Sequence, residues 1–135
     1  AVTLPISIEC VVSTGKVSAV LANVILPMGA NINMDGAAIS FPCAIMFMAN
    51  AVGVAGDINA STWVNIALGS SLGSVGAAPV PSAGMVTLIT VWQTAFPSED
   101  VPDAIAYVQA IDFFVDRIGT MTNVCSDLII MRMLQ

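Results

Sequence analysis

Histidine is absent from this sequence and basic residues nearly so: Lys and Arg together number 3, against 9 Asp and Glu, and charged residues make up 9% of the chain. Without imidazole no side chain is set to change charge near neutral pH, so histidine-based catalytic triads and the usual zinc sites are excluded. A net charge of −6 leaves no basic patch for a nucleic-acid backbone. No charge at all falls between Gly36 and Gly56, and none between Ile58 and Ser98. Cysteines number 3, an odd count, and Cys10, Cys43 and Cys125 lie inside apolar runs. A disulfide framework is not expected from that pattern, and buried thiols are.

What the chain does have is apolar side chain: 57% of its 135 residues are hydrophobic and the mean hydropathy is +0.92. A soluble domain carries roughly 25% charged residues, and about 20 apolar residues suffice to cross a bilayer core. The expected solvent is therefore the lipid bilayer, and the expected fold class is an all-α membrane protein. The chain opens at Ala1-Val2-Thr3-Leu4-Pro5 with no initiator Met and no signal peptide before its first apolar stretch, as an internal segment would.

Four hydrophobic units can be marked. Residues 1–13 form a short first unit that ends at Thr14-Gly15-Lys16. Residues 17–55 are too long for one ordinary span, and Pro27, Gly29, Asn31, Asn33, Asp35 and Gly36 interrupt them midway. Two half-helices around an unwound centre fit that better than one rod. Residues 61–95 carry a second break, Gly73 to Gly84, with two prolines and no charge to mark a water-exposed loop. That predicts a re-entrant hairpin, two half-membrane helices meeting at a tip sheltered by protein or a water-filled cavity. Residues 102–134 read as one long helix. Lys16 and Arg132 flank one side and Asp57, Glu99, Asp100 and Asp103 the other, which puts the Lys16 loop and the C-terminus in the cytoplasm by the positive-inside rule. Asn59-Ala60-Ser61, on the opposite side, is a glycosylation sequon.

The polar residues inside these apolar units are where chemistry is expected. Asp112, Asp116, Thr120, Asn123 and Asp127 are spaced by four, four, three and four, so they share one face of a helix. Three carboxylates on one face of a membrane helix repel each other and are costly to desolvate, so they should face a cavity and hold cations. The segment Gly29-Ala30-Asn31-Ile32-Asn33-Met34-Asp35-Gly36 offers freed backbone carbonyls beside the Asn33 amide and the Asp35 carboxylate. Hard cations such as Na⁺ prefer such oxygen ligands. At the hairpin tip, Ser74 to Gly84, helix ends would present N–H groups to an anion and carbonyls to a cation.

Asn33-Met34-Asp35-Gly36 resembles the NMDG signature of the glutamate and neutral amino-acid transporters, the sodium:dicarboxylate symporter family. Ser74-Val75-Gly76-Ala77-Ala78-Pro79-Val80-Pro81-Ser82-Ala83-Gly84 looks like that family's second hairpin tip, and Asp112 to Asp127 resembles its last helix. Val2-Thr3-Leu4-Pro5 is similar to the segment just after the family's first hairpin tip, so the resemblance covers the whole chain. It implies a partial transport domain over 1–135: the end of the first re-entrant hairpin at 1–13, a broken transmembrane helix at 17–55, the second re-entrant hairpin at 61–95 and the last transmembrane helix at 102–134.

The resemblance also implies roles. Gly29, Asn33, Asn123 and Asp127 would form one sodium site, Asn33 and Asp35 would contribute to a deeper one, and Asn31 with Ser74, Val75 and Ala77 would make a third. Asp116 would receive the substrate's α-ammonium, Thr120, Asn123 and the Val80 backbone its other main-chain groups, and Asp112 would support the ion network. The Arg that pairs with a second carboxylate in the acidic carriers is Gly119 here, and the threonine after the signature is Ala37. Both match the neutral carriers, so a small neutral substrate such as alanine or serine is expected. Arg117 comes directly after Asp116 and so points about 100° away round the helix. Other departures are Pro79 for a tip Gly, Asn31 for Thr, and the run Leu128-Ile129-Ile130-Met131-Arg132-Met133 for small residues.

The implied activity is sodium-coupled symport, not an enzymatic reaction, by an elevator-type domain in a multi-pass protein of the plasma membrane. Its partners would be an amino acid, Na⁺, lipid and the rest of the transporter chain, in a homotrimer built on a scaffold domain. The rivals are an acidic amino-acid or dicarboxylate symporter, a transport-incompetent fragment, and an intramembrane aspartyl protease pairing Asp35 with Asp116. The protease would need Tyr before one aspartate and a Gly-x-Gly-Asp turn at the other, and neither is present.

Overall fold

The computed structural model describes residues 2–77 and 83–135. All regular structure among them is helical: α1 (Leu4–Ser13), α2 (Ala19–Ile32), α3 (Asp35–Val52), α4 (Ala60–Gly76), α5 (Gly84–Ala95) and α6 (Ile105–Leu134), with a 3-10 turn at Ala55–Asp57. The boundaries have local causes. Pro5 suits the first turn of α1, where its missing N–H is not needed. The Ser18 hydroxyl caps α2 by accepting from the Leu21 N–H at 3.2 Å. The Asn59 side chain caps α4 through the Thr62 N–H at 3.0 Å. Gly53, at φ 81°, ends α3 in the left-handed region that favours glycine.

The interruption expected in the second unit is narrower than the sequence suggests. Helix α2 runs on through Pro27 and Gly29, and only Asn33 and Met34 leave helical geometry, with ψ at 66° in both. Ala19–Val52 taken end to end is 34 residues, the one stretch among the described residues both long and apolar enough to cross a membrane.

Two apolar cores lie on either side of this break. One gathers Phe41, Ile45, Met48 and Ala49 of α3 with Ile66 of α4, and Leu88, Val91, Trp92 and Ala95 of α5; Ile105 and Val108 of α6 pack on it. The other joins Val17, Ala22, Leu26 and Met131, with Ile8, Val12 and Leu128 against them. Helix α6 runs along both. Helices α4 and α5 lie antiparallel, Gly69 beside Val91 and Gly73 beside Thr87 and Val91. Trp92, fully buried, stacks on Phe96 at 4.5 Å and donates its indole N–H to the Asp100 carbonyl at 3.1 Å, which ties down the connection to α6.

The outer surface is apolar as well. Large hydrophobic side chains stand exposed on every helix, from Ile6 on α1 and Val20 on α2 to Leu72 on α4, Val86 on α5 and Phe114 on α6. Such a surface calls for lipid or protein around it. The cysteines depart from expectation: Cys10, Cys43 and Cys125 are all exposed. An apolar run implies burial only where polar neighbours mark the opposite face, and these helices are apolar on most sides.

Helix α4 buries Ile66, Ser70 and Ser74. The Ser74 hydroxyl donates to the Ser71 carbonyl at 2.8 Å, but the Ser70 hydroxyl, in a residue 1% exposed, has no partner among the described residues. Ser70→Ala is therefore expected to leave stability unchanged or raise it by about 1 kcal/mol. Trp92→Ala should cost about 3–5 kcal/mol. Unfolding of the complete natural polypeptide in detergent checks both, and a clear loss with Ser70→Ala would mean that the hydroxyl serves an unrecognised partner.

Candidate functional site

Breaking a helix frees backbone groups that an apolar interior must satisfy. At Asn33-Met34 the helices supply most of them: the Asn33 N–H donates to the Gly29 carbonyl at 2.9 Å, and the Ala37 and Ala38 N–H groups to the Met34 carbonyl at 3.1 and 3.2 Å. The Gly36 N–H is satisfied from across the interface, by the Asn123 side-chain oxygen of α6 at 2.7 Å. The Asn123 N–H₂ and the second lone pair of its oxygen remain for other partners. Gly36 and Gly119 meet backbone to backbone at the same crossing: a Cβ at 36 would fall 2.7 Å from the Gly119 carbonyl oxygen.

One turn further along α6, the Asp127 carboxylate lies flat against the bare Cα of Gly29, where any side chain would overlap it. Asp127 is 6% exposed, with no basic side chain beside it among the described residues, and Asp35 at the start of α3 adds a further negative charge nearby. Its Oδ1 accepts from the Asn33 amide nitrogen at 2.8 Å, and the same nitrogen donates to the Ser126 hydroxyl at 3.1 Å. The Asp127 carboxylate and the Ser126 hydroxyl thus present two oxygens to one point of this pit, occupied by the Asn33 amide nitrogen, and oxygen ligands suit a hard cation.

The other polar residues of the α6 stripe open on a different space. A cavity of about 660 Å³ lies between α3, α6 and the inner ends of α4 and α5. Asp112, Asp116, Gly119, Thr120 and Asn123 line it from α6, and Gly36, Ala37 and Ser40 from α3. Phe41, Met85, Leu88 and Val108 supply apolar wall, and Ala77 and Gly84 stand where α4 and α5 approach their tip. No basic residue is among the lining. Arg117 instead lies over the Phe113 ring, 3.8 Å from its centroid, in a cation–π contact.

Of the residues singled out in the sequence, two groups are thus brought together: Asp112, Asp116, Gly119, Thr120, Asn123 and Ala37 around the cavity, and Gly29, Asn33 and Asp127 in the pit, with Asp35 nearby. The third group is only partly assembled. Ala77 lines the cavity and Ser74 is buried, but Val75 is exposed and the Asn31 amide turns back to the Pro27 carbonyl at 2.7 Å. Val80 and Pro79 lie outside the described residues. Sequence reasoning missed Ser126 and Ser40. Ser126 sits three residues after Asn123 and seven after Gly119, on the stripe's own side of α6, and that spacing was its available signal.

A family model described as the sodium:dicarboxylate symporter family matches residues 1–135. The chain belongs to the sodium:dicarboxylate symporter family. It is 36% identical over 126 residues to excitatory amino acid transporter 1 of Ambystoma tigrinum, and 36% identical over the same length to excitatory amino acid transporters 3 and 4 of Mus musculus. Each alignment covers 93% of this chain and between 21% and 23% of the relative, so the chain spans about a fifth of the length of these transporters.

The glycine crossing gives a pair of opposite expectations. Gly36→Ala must push α3 from α6 and should cost about 1–3 kcal/mol. Gly119→Ala should be tolerated, since a Cβ there meets Gly36 at an ordinary 3.5 Å. Thermal unfolding of both variants checks this; equal effects would mean that the helices do not touch at these glycines.

Proposed function

We propose that this chain is the ion- and substrate-holding part of a sodium-coupled amino-acid symporter embedded in the plasma membrane. The observation that carries the reading is the pairing of two acidic sites of different kind. A buried carboxylate with a hydroxyl beside it suits a small dehydrated cation, and a cavity with carboxylate, hydroxyl and amide groups suits a zwitterion.

In this reading Asp116 receives the substrate's α-ammonium, while Thr120 and the free N–H₂ of Asn123 hold its carboxylate, with the Val80 backbone as a further contact. Gly29, Asn33, Asn123 and Asp127 hold one sodium ion as co-transported substrate, Asp35 contributes to a second with Asn33, and Asn31, Ser74, Val75 and Ala77 to a third. Residues 1–13 end a first re-entrant hairpin, 17–55 are a transmembrane helix broken at its ion site, 61–95 are the second re-entrant hairpin, and 102–134 the last transmembrane helix. The cavity and the pit share the Gly36–Asn123 junction, so an ion that orders the break also orders the cavity wall. Ion and substrate then strengthen each other's binding. Closure of the α4–α5 hairpin over the filled cavity, followed by movement of the whole domain against a trimeric scaffold, would complete an elevator-type cycle.

Small neutral amino acids are the preferred substrates. A second carboxylate entering this cavity would meet Asp112 and Asp116 and no cation, and an unpaired buried charge is costly. Arg117, held over Phe113, does not supply one. The acidic-substrate reading draws on the names of the relatives, and uptake separates the two. Reconstituted in proteoliposomes, the complete natural polypeptide should take up labelled alanine or serine in a sodium gradient and ignore aspartate. Asp127→Ala and Asp116→Ala should each lose at least about tenfold in uptake, the equivalent of one charge-assisted contact. Aspartate uptake would overturn the neutral assignment, and no uptake of any amino acid would favour a transport-incompetent copy.

A further inference from the structure

We infer that the Ser126 hydroxyl and the Asp127 carboxylate form one clamp that holds either the Asn33 amide or an alkali cation, never both, which makes Ser126 a cation ligand. The inference rests on the sodium-coupled reading above and extends it to a residue that reading does not use.

The two oxygens belong to neighbouring residues of α6 and converge on one atom, the Asn33 amide nitrogen, at 2.8 Å from Asp127 Oδ1 and 3.1 Å from Ser126 Oγ. A cation held by both would compete with that nitrogen for the space between them. The amide is a weak substitute for it. Its N–H is a neutral dipole, while the carboxylate it faces is 6% exposed and also feels the charge of Asp35. The full negative charge is therefore only partly offset, and a buried carboxylate in that condition favours a true positive charge over a dipole.

Asn33 can make way. It sits in the non-helical pair between α2 and α3, at φ −116° and ψ 66°, and is not locked into a helical turn. The terminal torsion of an Asn side chain is broad and roughly two-fold, so the amide can turn without crossing a high barrier. The turn alone would put the amide oxygen in the same place, so the side chain must also swing about χ1 to leave the clamp to the ion. Gly29 has no side chain, and that is what lets the Asp127 carboxylate lie against α2 and stay beside Ser126.

The test is a sodium titration of thermal stability on the complete natural polypeptide in detergent, with choline as the replacing cation. The wild-type unfolding temperature should rise with sodium. In Ser126→Ala the half-effect concentration should move up about tenfold, as expected for losing one hydroxyl contact to a charge, and Ser126→Thr, which keeps the hydroxyl, should largely restore it. Ser126→Gly provides a second variant without the hydroxyl should the alanine variant fold poorly. A lower unfolding temperature without sodium but an unchanged half-effect concentration would mean that Ser126 only positions Asn33, and the inference fails. Tighter sodium binding in Ser126→Ala would also overturn it, because the hydroxyl would then serve the amide against the ion. A wild type that does not respond to sodium at all would overturn the sodium-coupled reading itself, and this inference with it.

Discussion

A helix that stops inside an apolar body leaves N–H and C=O groups with nowhere to turn, and each one left bare costs free energy comparable to a lost hydrogen bond. The break between α2 and α3 survives because it is short and because α6 supplies the missing acceptor. Asn123 takes the Gly36 N–H at 2.7 Å, and the bare backbones of Gly36 and Gly119 let the helices come close enough for it to do so. The cavity, the carboxylate pit and the meeting of the two apolar cores all depend on that junction. If α3 were displaced from α6, Asn123 would lose the Gly36 N–H that orients it.

Much of this arrangement was readable in the sequence, because its signals are local and periodic. The spacing of Asp112, Asp116, Thr120 and Asn123 alone put these residues on one side of a helix, and they line one cavity. Pro27, Gly29 and the asparagines announced an interruption in an apolar run too long for one span. What could not be read depends on contacts far apart in the chain. That the break would close to two residues is the work of hydrogen bonds around Met34 and of α6, 87 residues further on. The convergence of Ser126 and Asp127 on Asn33 is of the same kind, at separations of 93 and 94 residues. The exposed cysteines show the limit of hydropathy itself: when nearly every side of a helix is apolar, composition no longer says which side faces inward.

The same apolar abundance shapes the electrostatics. Asp127 sits in a low-dielectric interior with one amide for company, so the protein carries a local excess of negative charge that its own side chains do not neutralise. Asp112 and Asp116 face the cavity with no basic residue in its lining. In water such groups would be ordinary surface carboxylates. In apolar surroundings a carboxylate without a basic partner favours a cation far more than it would in water.

Gly119 lines the cavity and also bears on Gly36, yet the two glycines are not equally constrained. A side chain at 119 finds ordinary contact distance, whereas one at 36 runs into backbone. A single exchange at 119 can therefore reshape the cavity wall while the helix crossing stays as it is. The wall of the cavity is open to change through one codon where the frame that holds it is not.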